Sequence, residues 1–191
     1  MKSPEIRLNE VAQIAVRLEK ETGCPAQLLI AQWAIESKWG EKPVGHANYF
    51  GTKRAACHTQ WCAVTTHEVF TPAQLETWNH QHTTKPARLV AILPDSSLRV
   101  EIHDGFAGYD SLDASCQDYA WLITNGAPYH AAWEQYQKDR DLPVLIPAVA
   151  RVYATDPGYA HLAAVVAGQA NVKQAIAQAV EEETSKATRQ D

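Results

Sequence analysis

Glu36 stands where a charge is unexpected. From Gly23 to Ile35 no side chain is charged, and AIESKWG (34–40) then brings Glu36, Ser37, Lys38, Trp39 and Gly40 in succession. On a helix the neighbours of Glu36 are Leu29, Gln32, Trp33 and Gly40, so its carboxyl lies beside an apolar stripe. Desolvation by such neighbours raises a carboxyl pKa and keeps the proton on. A protonated carboxyl in an apolar setting is what the general acid of glycoside cleavage requires. Helical spacing alone favours a solvated glutamate near a helix end, so the surrounding elements have to decide.

Those elements divide the chain in three. Residues 5–22 read as an amphipathic helix, with Ile6, Leu8 or Val11, Ile14, Ala15 and Leu18 at helical spacing and Gly23 as the stop. Pro25 suits the first turn of a second helix, expected to run to about Trp39 with Leu28, Ala31, Ile35 and Trp39 along one stripe. From 44 to 106 helical periodicity disappears. CAVTTHEVF reads as a strand, ARLVAIL and LRVEIHD as two more around the turn PDSS, and TPAQLETWNHQHTTKP as a loop with one helical turn. Helical pattern returns over 111–125, 128–138, 142–154 and 159–182, and the polar 183–191 reads as a frayed tail. The expectation is one α+β domain over 1–182, mainly helical, with a small β-rich lobe at about 44–106 flanking a ligand groove.

The composition suits a folded domain: 191 residues, 46% hydrophobic and 20% charged, with a net charge of −5. An acidic chain without a basic, aromatic-interleaved cluster argues against nucleic-acid binding. No stretch approaches the roughly 18 apolar residues of a membrane span. Of the four cysteines, Cys57 and Cys62 flank a small loop, Cys116 reads as core and Cys24 as a partner it does not require. Reduced thiols and a Cys57–Cys62 disulfide both remain open. A zinc site among Cys57, His58, Cys62, His67, His80 and His82 is disfavoured by the loose cysteine spacing. Trp33, Trp121 and Trp133 are expected in the core; Trp61 and Trp78, in the loop-rich lobe, are the better candidates for stacking on sugar.

Further motifs follow Glu36 in order: HANYFGTK (46–53), TTHEVF (65–70), DGFAGYDS (104–111) and YATDPGYA (153–160). Over roughly residues 8–172 the series Glu-Ser-x-Trp-Gly, Asn-x-Phe-Gly, Thr-x-Glu, Phe-x-x-Tyr-x-Ser and Tyr-Ala-Thr-Asp-Pro-x-Tyr-Ala resembles glycoside hydrolase family 73. These are endo-β-N-acetylglucosaminidases of lysozyme-like fold that cut peptidoglycan, among them flagellar rod-type hydrolases and autolysins. The resemblance implies Glu36 as catalytic acid, Glu68 as the second carboxylate that orients or deprotonates water, and Tyr153 near the cleavage point. It implies a groove loop with Asn48, Phe50 and Gly51, and no cofactor. Tyr109 and Tyr159 are further aromatic candidates for lining the cleft, and no metal is expected. A close second carboxylate would support retention and a distant one inversion, and a route assisted by the substrate's own acetamido group stays open beside them.

The chain departs from that pattern in two places. An insert at about 71–97 follows Glu68, and Ala107 stands where the family usually has arginine. Glu101 and Asp104 therefore compete with Glu68 for the second role. A muramidase or lytic transglycosylase on the same fold, or a non-catalytic glycan-binding or assembly module, remains an alternative. The expected partner is the peptidoglycan strand, outside the cytoplasmic membrane, yet MKSPEIRLNEVAQIAVRLEK is not a signal peptide. Delivery as an antibacterial effector with an immunity protein, release through a phage-made hole, or a signal already cut away would each reconcile the two.

Overall fold

The structure is a computed structural model describing residues 2–188 except 155 and 157. Thr155 and Pro157 of the YATDPGYA motif and residues 189–191 of the expected tail therefore lie outside the described residues. The chain forms two units, residues 1–52 with 109–191, and residues 53–108.

In the first unit α1 (Pro4–Thr22) begins where Ser3 caps the Ile6 amide and Pro4 takes the first turn, and it ends on Gly23 at φ +81°. Leu8, Val11, Ala15 and Leu18 are buried, whereas Ile6, expected in the core, is exposed. Helix α2 (Ala26–Glu36) has no polar face: Ala26 and every residue from Leu28 to Ala34 are buried. Such a helix must be enclosed on all sides, and α2 packs against α1, α4 (Leu112–Asn125), α7 (Tyr159–Gly168) and α8 (Ala170–Thr188). Helices α5 (His130–Asp139), preceded by a 3-10 turn at Ala127–Tyr129, and α6 (Leu142–Tyr153) complete this unit.

Three boundaries differ from expectation. Helix α2 stops at Glu36, three residues before Trp39. The segment 159–182 is two helices, because Gly168, a poor helix former, precedes an extended Gln169 (φ −61°, ψ 142°). The last helix then continues to Thr188, so the polar stretch is helical over its described residues 183–188.

The second unit holds a three-stranded antiparallel sheet in the order β1–β3–β2, with β1 (Trp61–Phe70), β2 (Arg88–Ile92) and β3 (Leu98–Ala107). The three strands follow the sequence reading, but the stretch after β1 does not. Pro72–Gln81 forms the ten-residue helix α3, started by a capping box in which Thr71 and Gln74 each bind the other's backbone amide.

Trp33 and Trp133 are buried as expected, but Trp121 is 60% exposed. All four cysteines are free thiols, which overturns the disulfide reading. Cys57 sits in an exposed turn, while Cys62 is committed to β1 opposite Phe106. Cys24 and Cys116 are buried, and burial pushes both thiols well above their ordinary pKa.

Candidate active site

Glu36 is the last residue of the most enclosed helix, and its partly buried carboxyl follows from that position. The pKa is raised, first by desolvation, against which a hydrogen bond from Tyr159 acts to lower it. That bond runs from the Tyr159 hydroxyl to Glu36 Oε1 at 2.5 Å. Tyr159 opens α7, which packs along α2, so the helix pair sets the hydroxyl against the carboxyl. The other carboxyl oxygen, Oε2, faces Gly51, whose backbone (φ +64°) would carry a Cβ only 3.7 Å from it.

The residues after Glu36 form a left-handed turn. Lys38, Trp39 and Gly40 have φ of 51°, 59° and 76°, a conformation that costs a side-chain-bearing residue about 1–2 kcal/mol. The compensation is local. Ser37 donates its hydroxyl to the Trp33 carbonyl at 2.6 Å and accepts the Gly40 amide at 2.9 Å. Arg7, from α1, donates through Nε to the Trp39 carbonyl at 2.7 Å and through Nη2 to Glu41 at 2.9 Å. The Ser-Lys-Trp-Gly sequence is thus the device that ends the helix at Glu36. Gly40→Ala would place a Cβ 2.7 Å from Cζ2 of the fully buried Trp33. It should cost about 2–4 kcal/mol, measured by urea unfolding.

The loop at 46–52 is built around Asn48. The buried Asn48 donates to the Thr52 carbonyl at 2.9 Å and accepts the amides of Phe50 and Thr52 at 3.3 and 3.0 Å. Phe50 is buried and stacked on Tyr119, ring centroids 4.3 Å apart. Asn48 and Phe50 thus shape the loop, and Gly51 is the residue it brings to Glu36. Tyr153, at the end of α6, donates its hydroxyl to the Phe50 carbonyl. The tyrosine that touches Glu36 is therefore Tyr159, while Tyr153 secures the loop. Tyr109 donates to Asp118 at 2.6 Å, and its backbone pairs with His46.

In the second unit, register separates the three competing carboxylates. Glu68 pairs with Val100 across β1–β3, so Glu68, Val100, Ile102 and Asp104 share one face and Glu101 takes the other. Lys53 bridges Glu68 and Asp104 at 3.3 and 2.7 Å, with its ammonium 4.3 Å from the Phe106 ring centroid. Glu101 binds Arg88 through both carboxyl oxygens at 3.0 and 2.9 Å, and that bond first, then the cationic charge, holds its pKa below the usual range. Trp61 is half exposed, with the Arg54 guanidinium 4.0 Å from its ring centroid. Trp78, on α3, stacks on His82 at 3.9 Å and lines a pocket of about 340 Å³ with Phe70, Gln74 and Thr77.

Sequence reading missed Gln32, Tyr119 and Lys53. Gln32 carried a usable signal, a polar side chain four residues before Glu36 on an apolar helix; the other two carried none.

A family model for glucosaminidase, described as mannosyl-glycoprotein endo-beta-N-acetylglucosaminidase, matches residues 12–172. The chain belongs to this glucosaminidase family of glycoside hydrolases. No curated protein sequence gives a significant match. Among solved structures, the chain resembles the catalytic domain of the autolysin Auto from Listeria monocytogenes, at 20% identity and TM-score 0.66, covering 92% of this chain and 89% of that one. A peptidoglycan hydrolase from Sphingomonas sp. A1 matches at 24% identity and TM-score 0.59, covering 92% and 94%. A truncated glycoside hydrolase domain of FlgJ from Salmonella typhimurium matches at 20% identity and TM-score 0.57, covering 86% and 95%. These likenesses support the lysozyme-like α+β fold.

Proposed function

We propose that the protein hydrolyses the glycan strand of peptidoglycan on the reducing side of N-acetylglucosamine, with Glu36 as general acid. The observation that carries this is the desolvated Glu36 carboxyl, with one oxygen held by Tyr159 and the other facing Gly51. Membership of the glucosaminidase family supports the reaction class. The names of the autolysin and of the Sphingomonas peptidoglycan hydrolase support the substrate. Protonated Glu36 gives its proton to the leaving glycosidic oxygen as the bond to the anomeric carbon breaks. Water supplies the replacing oxygen, and Glu68 orients it or takes its proton.

Digestion of purified peptidoglycan by the wild type and by Glu36→Gln, with reducing ends labelled and read by mass spectrometry, tests this. New N-acetylglucosamine ends that vanish in the variant are expected. Muramic or anhydromuramic ends would make it a muramidase or a lytic transglycosylase. No Glu36-dependent product would move the chain to the binding modules.

The place of action under this reading is the cell wall or periplasm. If the protein is a delivered toxin, its producer needs an immunity protein that blocks the groove. A pull-down from the producer's periplasm that recovers no stoichiometric partner would count against that setting.

A further inference from the structure

The Glu36–Tyr159 bond is the end of a longer chain. Gln32 and Tyr119 are both fully buried. The Tyr119 hydroxyl donates to Gln32 Oε1, Gln32 Nε2 donates to the Tyr159 oxygen at 3.2 Å, and Tyr159 donates to Glu36 Oε1. Every donor points toward Glu36. The opposite polarity is conceivable: with the Gln32 amide turned over, Tyr159 would donate to Gln32, and Glu36 would have to donate its own proton to Tyr159. The Tyr119 hydroxyl, already oriented on Oε1, would then lose its acceptor in a buried setting, which is costly.

We propose that Gln32 and Tyr119 are positioning residues that fix the polarity of this chain, so that Oε1 of Glu36 always accepts and the transferable proton sits on Oε2, the oxygen facing Gly51. The inference rests on Glu36 being the general acid. With the chain reversed, the proton would lie on Oε1, turned to Tyr159 and withheld from the substrate. The same reversal would favour the protonated carboxyl, since Glu36 would donate in place of accepting. Loss of polarity therefore has two linked signatures: a higher Glu36 pKa and a slower proton transfer.

The test uses the full chain with carboxyl-13C glutamate. Glu36 is assigned by its loss in Glu36→Gln and titrated by NMR in the wild type and in Gln32→Met, Tyr119→Phe and Tyr159→Phe. The same proteins are assayed for glycan cleavage across pH. In Tyr119→Phe, which frees the Gln32 amide to turn over, the titration midpoint and the falling alkaline limb of activity should both move up; Gln32→Met, which leaves Tyr159 no acceptor on this chain but Glu36, should move them less. Turnover should fall about tenfold at unchanged KM, as for a lost transition-state contact. Tyr159→Phe, which removes the final donor, should move both further. Tyr119→Phe deletes a single hydroxyl from a ring stacked on Phe50, so it guards against a Gln32→Met that does not fold. A folded Tyr119→Phe whose Glu36 titrates at the wild-type midpoint would overturn the inference, whatever its turnover. If Glu36→Gln retains activity, the acid assignment fails instead, and the titration still reports the chain's polarity.

Discussion

Glu36→Gln is expected to lower glycan cleavage about 10³-fold, within the range for loss of a general acid, while raising the melting temperature at neutral pH. The two effects share a cause. Burial favours the protonated carboxyl, so in the native protein the pKa stands above its ordinary 4.5. Below that ordinary value the carboxyl is neutral in both folded and unfolded chains and costs nothing. As pH rises through 4.5 toward the native pKa, the unfolded state ionises first, and stability is lost until the native pKa is passed. Glutamine keeps the shape and the acceptor for Tyr159 but never ionises. The variant should therefore match the wild type in thermal melting near pH 4 and exceed it at pH 7. Each kcal/mol released corresponds to roughly 2–4 °C in a chain of this size. A variant that is inactive and less stable at pH 7 would mean that Glu36 holds the fold together rather than straining it. Activity should fall as pH rises through the Glu36 pKa, and Tyr159→Phe, which removes the bond favouring the charged form, should move that fall to higher pH.

How far the sequence revealed this site depends on the range of each contact. Glu36 stood out because its environment is local: the charge-free run from Gly23 to Ile35 forms α2, and burial along that helix desolvates its last residue. The strands were legible from β-branched composition. Helix α3 was missed because its composition resembles a loop, although Thr71-Pro72-x-Gln74 is a capping-box start. The extent of α2 was misjudged because nothing in helical spacing reports that Arg7, thirty-two residues away in sequence, holds the Trp39 carbonyl and supports a left-handed turn. Tyr153 and Tyr159 could not be told apart by motif. Which hydroxyl meets Glu36 depends on α7 packing on α2, a contact more than a hundred residues long in sequence. Trp121 shows the same limit, since its helical position was compatible with either face.

Among the sheet carboxylates, Glu68→Gln should lower turnover about 10²-fold, the low end of the range for an acid or base; Asp104→Asn should have a smaller effect, and Glu101→Gln should stay within about twofold of wild type, as an exposed pair contributes little. Antiparallel register is the reason for the order. Glu68 and Asp104 lie on one face and converge on Lys53, while Glu101 lies on the other and is occupied by Arg88 and His67. Lys53 gives Glu68 a defined position without enclosing it, because the pair is exposed. Asp104 is its closer partner, so Asp104→Asn acts mainly by loosening Lys53 and hence Glu68. Exposed ion pairs contribute little to stability, so the urea midpoints of all three variants should stay near the wild type, and a fall in turnover can be read as chemistry. Turnover and product ends measured together decide the role. A Glu68→Gln enzyme near wild-type rate that releases anhydromuramic ends would leave Glu36 acting alone and make the reaction a transglycosylation. Equal damage from Glu101→Gln would show that the working face of the sheet is the one carrying His67 and Arg88.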